Sequence, residues 1–309
     1  MRTYLMKRFI AMLITIFIIA TVTFFLMHAI PGGPFDLMGL TDTVPRETVE
    51  AMNARYHLDD PVIVQYGNYL KDLLKGNLGI SYRSAGTTVN EIIGRGFPFS
   101  AKIGLVASLV IVIAGIGLGM VAGLYRGKLP ERLVTLLTTI CMSVPGFVVA
   151  AFLLYVFCEK LGVLPSNGLS TWKHYIGPVV AISLFSLAFV IRLMASNLSQ
   201  TMNQDYIRTA RANGLPPSRI IWKHAMRNAL IPVVTYIGPT VGAILTGSFA
   251  VEKVFSIPGM GEYFVSSISN RDYTVLMGVT LFYAIIIIVT MFLVDMVYLL
   301  IDPRIKLKE

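Results

Sequence analysis

Six stretches of the chain stay apolar long enough to cross a bilayer: Phe9–Ile30, Ile103–Tyr125, Leu133–Cys158, Ile176–Met194, Ala229–Ala250 and Leu276–Ile301. A helix needs about 20 such residues to span the hydrocarbon core. The pattern therefore predicts an all-α integral membrane protein with six transmembrane helices. Pro145-Gly146 in the third stretch, and Pro232 and Pro239-Thr240 in the fifth, predict kinks, because proline removes a helical N–H. Gly115, Gly119, Gly123 and Gly127 recur every four residues and predict a smooth face against which another helix packs closely. The first stretch follows Arg2, Lys7 and Arg8 as a signal peptide would. It is too long for that, and Pro31-Gly32-Gly33-Pro34 is no small-x-small cleavage site, so we read it as a retained anchor.

The polar segments divide the chain into an anchor at 1–30, an extracytoplasmic segment at 31–98 and a transmembrane core at 99–309. Within the second, Val62, Tyr66, Tyr69, Leu70, Leu73 and Leu74 recur at helical spacing. Pro61 opens this amphipathic helix behind a cap at Asp59 or Asp60, and Gly76 stops it. It either lies on the membrane face or packs on the bundle.

Composition agrees with the pattern. Hydrophobic residues make up 55% of the 309 and charged ones 14%, with a mean hydropathy of +0.70. A soluble domain carries about 25% charged residues. The net charge of +9 suggests nucleic acid only until the charges are placed. The segments 1–8, 126–132, 192–227 and 302–309 hold fifteen of the 26 lysines and arginines but four of the 17 acids. The positive-inside rule thus puts both termini in the cytoplasm, and no nucleic-acid partner is needed.

Candidate chemistry is sparse. There is no phosphate-binding G-x-x-x-x-G-K-[ST], no H-E-x-x-H, no G-x-S-x-G and no paired-cysteine metal spacing. No catalytic, cofactor or metal residue is therefore expected. Cys141 and Cys158 lie in one apolar run, roughly 25 Å apart if that run is a straight helix, and read as buried hydrophobes. Asp295 stands alone in the last span, either as a proton or cation site or as a hydrogen-bonding partner near the interface.

The informative segment is cytoplasmic, about 195–228. Asn203 or Asp205 is a suitable cap, Tyr206 to Asn213 a short helix, and Gly214 a left-handed terminator. Leu215-Pro216-Pro217 blocks continuation, and Ser218 starts the helix leading to the fifth span. Ala210, Ala212 and Gly214 keep the surface shallow while Arg208 and Arg211 add charge. Such a helix suits a groove in another protein.

This loop resembles the cytoplasmic coupling loop of binding-protein-dependent ABC importer permeases, whose pattern is E-A-A, three residues, then Gly. Arg208, Thr209 and Ala210 take the first three places and Gly214 the last. The departures resemble the peptide/nickel branch, with its Y-[IV]-R-T-A-R-A-K-G-L and R-H-A-L-R-N-A-L; here Asn213 and Lys223 replace a lysine and an arginine. Tyr56–Tyr66, Gly76–Tyr82, Val254–Gly261, Asn270–Tyr273 and Asp302-Pro303-Arg304 are also similar to family segments. The length and long outer segment look like the B-type oligopeptide permease subunits.

The resemblance implies a type I importer fold in a bacterial or archaeal cell (inner) membrane. It also implies a heterodimer with a homologous permease, two ABC ATPase subunits that hold Mg-ATP, and an extracytoplasmic peptide-binding protein. ATPase coupling is then expected from Asp205, Tyr206, Arg208, Thr209, Ala210, Arg211, Ala212, Asn213, Gly214 and Leu215. Gating or binding-protein contact is expected from Ile257, Pro258, Gly259, Gly261, Arg271, Asp272 and Tyr273. Peptide is the expected solute. Nickel or another small solute, a proton-coupled secondary transporter and a non-transporting scaffold are the alternatives.

Overall fold

The computed structural model describes the backbone of residues 2–30, 35, 46–84 and 86–301, and their side chains apart from 2–4, 46–49 and 298–301. Pro31–Pro34 and the Asp302-Pro303-Arg304 motif with its basic tail lie outside the described residues. In chain order the helices are α1 Arg2–Ala29, α2 Arg46–Arg55, α3 Val62–Leu74 and α4 Val89–Leu124. They continue with α5 Leu129–Ser143, α6 Gly146–Lys160, α7 Lys173–Met202 and α8 Asp205–Ala212. The last four are α9 Pro217–Leu245, α10 Phe249–Val254, α11 Met260–Ser269 and α12 Tyr273–Ile301. Among the described residues the extended structure is one isolated bridge, Ile80 to Thr88.

Five helices, α1, α4, α7, α9 and α12, are long and apolar enough to cross a membrane. The third expected span is bent where a kink was expected, and with it the candidate spans number up to six. It breaks at Val144-Pro145 into α5 and α6, which meet at 96°. Val144 is extended because proline disfavours helix in the residue before it, and Pro145 begins α6 as its N-cap. The straight-helix separation of Cys141 and Cys158 therefore does not apply; both are free thiols. The prolines of the fifth span act differently, since α9 continues through Pro232 and Pro239. It ends at Leu245, not Ala250, where Gly247 (φ +93°) turns the chain into α10.

The 36 residues of α4 reach back to Val89, so the end of the 31–98 segment is already in line with the second span. Against α4 lies α7, at a separation set by three glycines. A Cβ on Gly115 would lie 2.6 Å from Val190 Cγ1, and one on Gly119 2.6 Å from Met194 Cβ and 2.7 Å from the Ile191 carbonyl. On Gly123 it would approach the Ala195 carbonyl at 2.9 Å. Gly127 does not belong to this face. It sits in the turn after α4 with φ +80° and nothing within 4 Å of a would-be Cβ, so its freedom serves the turn.

The amphipathic helix α3 packs on the C-terminal half of α1. Tyr66 and Tyr69 meet Phe24 at 5.3 and 5.4 Å, and the Tyr66 hydroxyl shares a 2.8 Å hydrogen bond with Thr21. Pro61 occupies its N-cap, displacing the expected Asp59 or Asp60, because its extended backbone suits that position and no side chain caps there.

Candidate coupling and gating sites

The coupling loop is built from both of its ends. Gln204 is extended and forms the N-cap of α8; Asn203 still closes α7, and Asp205 is already helical. At the other end Gly214 adopts φ +75°. Its N–H donates to the Arg211 carbonyl (2.9 Å), and that of Leu215 reaches back to Ala210 (3.3 Å). This paired closure needs a left-handed residue, and glycine takes it without a Cβ penalty. The next helix starts at Pro217, not Ser218, because a proline costs nothing where no N–H is needed.

Inside α8, Ile207 (0% exposed) and Ala210 (6%) face inward and join the apolar core that contains Leu198, Met194 and Ala225. Burying Ile207 contributes about 2 kcal/mol. Ala210 thus belongs to the inner face and not, as its size suggested, to the outer one. Arg208, Thr209, Arg211, Ala212, Asn213 and Gly214 are exposed. Tyr206 is braced by Asn228, whose Nδ2 donates to its hydroxyl at 2.7 Å. The Asp205–Arg208 contact (3.4 Å) is open to solvent and fixes little. Sequence reasoning missed Trp222, 64% exposed on the π-helical turn Ile220–Ala225 that packs against α8. A tryptophan among the basic residues of that loop was the available signal.

The connection between α9 and α12 is organised around a residue absent from the expected set. Glu252, on α10, is 1% exposed. Its Oε1 accepts the Ser100 hydroxyl of α4 (2.7 Å), and its Oε2 accepts the Gly261 N–H (2.9 Å). Ser100 Oγ in turn accepts the Met260 N–H (2.8 Å). A Cβ on Gly247 or Gly259 would collide with this carboxyl, and one on Gly261 would lie 2.6 Å from the Phe249 backbone. The expected Gly259 and Gly261 are therefore there to let a carboxylic acid in. Ile257 is 2% exposed, and Pro258 joins it to Gly259. No cation lies within ion-pair distance of Glu252 among the described residues; the neighbouring Lys253 pairs with Glu262 (3.5 Å). Burial pushes the Glu252 pKa up, against the pull of Ser100 and the backbone donors.

Arg271, Asp272 and Tyr273 belong to a second knot. Asp272 (4% exposed) accepts the Ser81 hydroxyl and the backbone N–H groups of Tyr82 (3.2 Å) and Val275 (3.4 Å). Arg83 Nε donates to the Asn270 carbonyl (2.7 Å). Arg271 turns the chain at φ +52°, a region costly to a residue with a side chain. This knot ties the 80–84 segment to the start of α12 and shares no hydrogen bond with Glu252 among those described, so the single expected set divides between two clusters. In the last span Asp295 meets Arg8 of α1 at 3.3 Å, which gives it a partner.

Comparison with known proteins agrees with this geometry. Residues 115–307 match the binding-protein-dependent transport system inner membrane component family, and residues 1–105 match the N-terminal component of such membrane proteins. The dipeptide transport system permease protein DppB of Bacillus subtilis is 45% identical over 309 residues, covering 100% of this chain and 99% of its own. The oligopeptide transport system permease protein OppB of Salmonella typhimurium is 37% identical over 308 residues, covering 99% and 100%. The inward-facing MetNI methionine ABC transporter shares the fold, with a TM-score of 0.56 at 18% identity, over 68% of this chain and 96% of that one. With its long apolar helices, its glycine-closed loop and these full-length relatives, the chain belongs to the family of binding-protein-dependent transport system inner membrane components.

Proposed function

We propose that the chain is the permease subunit of an ATP-driven importer that takes up dipeptides or oligopeptides delivered by an external binding protein. The observation that carries this reading is α8, a short helix whose inner face is part of the transmembrane core and whose outer face is free. Movement imposed on Arg208, Arg211 and Asn213 is transmitted through Ile207 and Ala210 to α7 and α9 without a flexible intermediate. The chain carries no nucleotide motif, so that movement comes from two partner ATPase subunits, which hold Mg-ATP. Both termini and α8 face the cytoplasm, following the distribution of basic residues.

A homologous permease completes the path. The 247–273 connection forms the outer gate or the contact for the binding protein. ATP and solute bias one two-state element from opposite faces, as coupling requires. Peptide is preferred to nickel because the relatives with full-length identity are named for dipeptide and oligopeptide transport.

Gly214→Val tests the reading. A β-branched residue at φ +75° disturbs the end of α8, and the variant should enter the membrane yet hydrolyse ATP without uptake or lose its ATPase partners. Gly214→Asn, which tolerates the left-handed region, should retain uptake. Normal coupled uptake by the valine variant would overturn the assignment.

A further inference from the structure

A cavity of about 310 Å³ lies where the end of α4, the first turns of α5 and the inner part of α7 meet. Arg126, Arg192, Thr135, Ser196, Ser199 and Gln200 are in its wall. Both guanidinium groups have neutral partners. Arg126 Nη1 donates to the Ser199 hydroxyl (2.7 Å), and Arg192 Nη2 to that of Thr139 (3.1 Å), with Met142 Sδ 3.7 Å from Nη1. No carboxylate lies within ion-pair distance of either among the described residues. Glu131, the one acid in the wall, instead accepts the N–H of Gly127.

Arg192 sits roughly 15 Å inward from the end of α7 at Met202. Its side chain is exposed, so an anion can reach the guanidinium. Two guanidinium groups beside hydroxyls and an amide present the planar donors that suit phosphate oxygens. Lys128 and Arg132, both exposed, flank the lining residues Arg126 and Glu131 in sequence. Basic pockets between helices at a membrane face hold acidic lipid headgroups by these forces.

We propose that this cavity binds the phosphate of an anionic phospholipid, bridging α4 and α5 to α7 at the membrane surface. The shared chemistry with free phosphate is separated by experiment. The chain, purified in mild detergent with whatever partners accompany it, is exposed to phosphatidylglycerol or phosphatidylcholine, and retained lipid is counted by native mass spectrometry.

The wild type should retain phosphatidylglycerol roughly tenfold better than phosphatidylcholine. The Arg126→Gln, Arg192→Gln double variant should lose that preference, and the corresponding double lysine variant should keep most of it. Millimolar inorganic phosphate should not displace the lipid. Equal retention of the two lipids, or an unchanged preference in the glutamine variant, overturns the proposal; displacement by inorganic phosphate assigns the cavity to a soluble anion and also overturns it. If the glutamine variant fails to accumulate, the wild-type preference and the lysine variant decide. Absence of an ATPase from the purified material counts against the importer reading and leaves the lipid result standing.

Discussion

The α8 loop and the 247–273 connection both join consecutive helices, yet they are held in opposite ways. Around α8 the apolar side chains face in and the charges face out; Ile207 is buried while Arg208 and Arg211 are exposed. Around α10 and α11 the polar groups face in, where Glu252 and Asp272 are both nearly inaccessible. A loop built like α8 keeps its shape when its outer surface is gripped, which suits a lever. A loop built like 247–261 depends on a few buried hydrogen bonds and glycine contacts, which suits an element that shifts between two discrete arrangements. The proposed function uses this difference, with force transmission at one end of the molecule and gating at the other.

The most damaging way to break this comparison is Glu252→Ala. It orphans the Ser100 hydroxyl and the Gly261 N–H and should destabilise the fold by roughly 3 kcal/mol, with loss of uptake. Thermal unfolding in detergent and uptake into proteoliposomes read the two effects. An unchanged unfolding temperature would remove Glu252 from the account.

Next comes the helix pair that links the two ends. Gly119→Val forces α4 from α7, because the added carbons meet the Ile191 carbonyl as well as Met194. A loss of about 2 kcal/mol is expected, larger than that for Gly127→Val, where only the turn is strained.

The outer knot also carries a pH signature. The Glu252 pKa stands above its ordinary 4.5, so the folded state binds the proton more tightly than the unfolded one. Its stability contribution is therefore full below 4.5 and falls as pH rises through the raised value. The nearby Glu262 strengthens this trend. Unfolding temperatures from pH 4 upward should decline more steeply in the wild type than in Glu252→Gln; parallel profiles would mean that Glu252 is not the group responsible.

Asp295→Asn should do least. The pair with Arg8 is partly open to solvent and contributes under about 1 kcal/mol. Uptake should persist in the variant, and its abolition would revive the proton-site alternative.

The α8 half of this comparison was legible in the sequence because its determinants are local. Gly214, Pro216 and Pro217 specify where a helix ends and the next begins within four residues, and hydrophobic spacing alone located most of the spans. The outer half was not legible for a physical reason. Glu252 lies 152 positions from Ser100, and Asp272 191 from Ser81, so no local pattern records either bond. The glycines at 259 and 261 drew attention to the loop, but the side chain they accommodate precedes them on another helix. Proline was ambiguous in the same way. Pro145 breaks its helix and Pro232 does not.

The central claim is that α8, not the outer connection, meets the ATPase. The direct measurement is crosslinking in native membranes from a single cysteine, placed at Asn213 or at Glu262, both exposed, in a Cys141→Ser, Cys158→Ser background. Mass spectrometry then identifies the captured partner. The account predicts a nucleotide-binding subunit from Asn213 and none from Glu262. A nucleotide-binding subunit captured from Glu262, with only lipid or copies of this chain at Asn213, would contradict it.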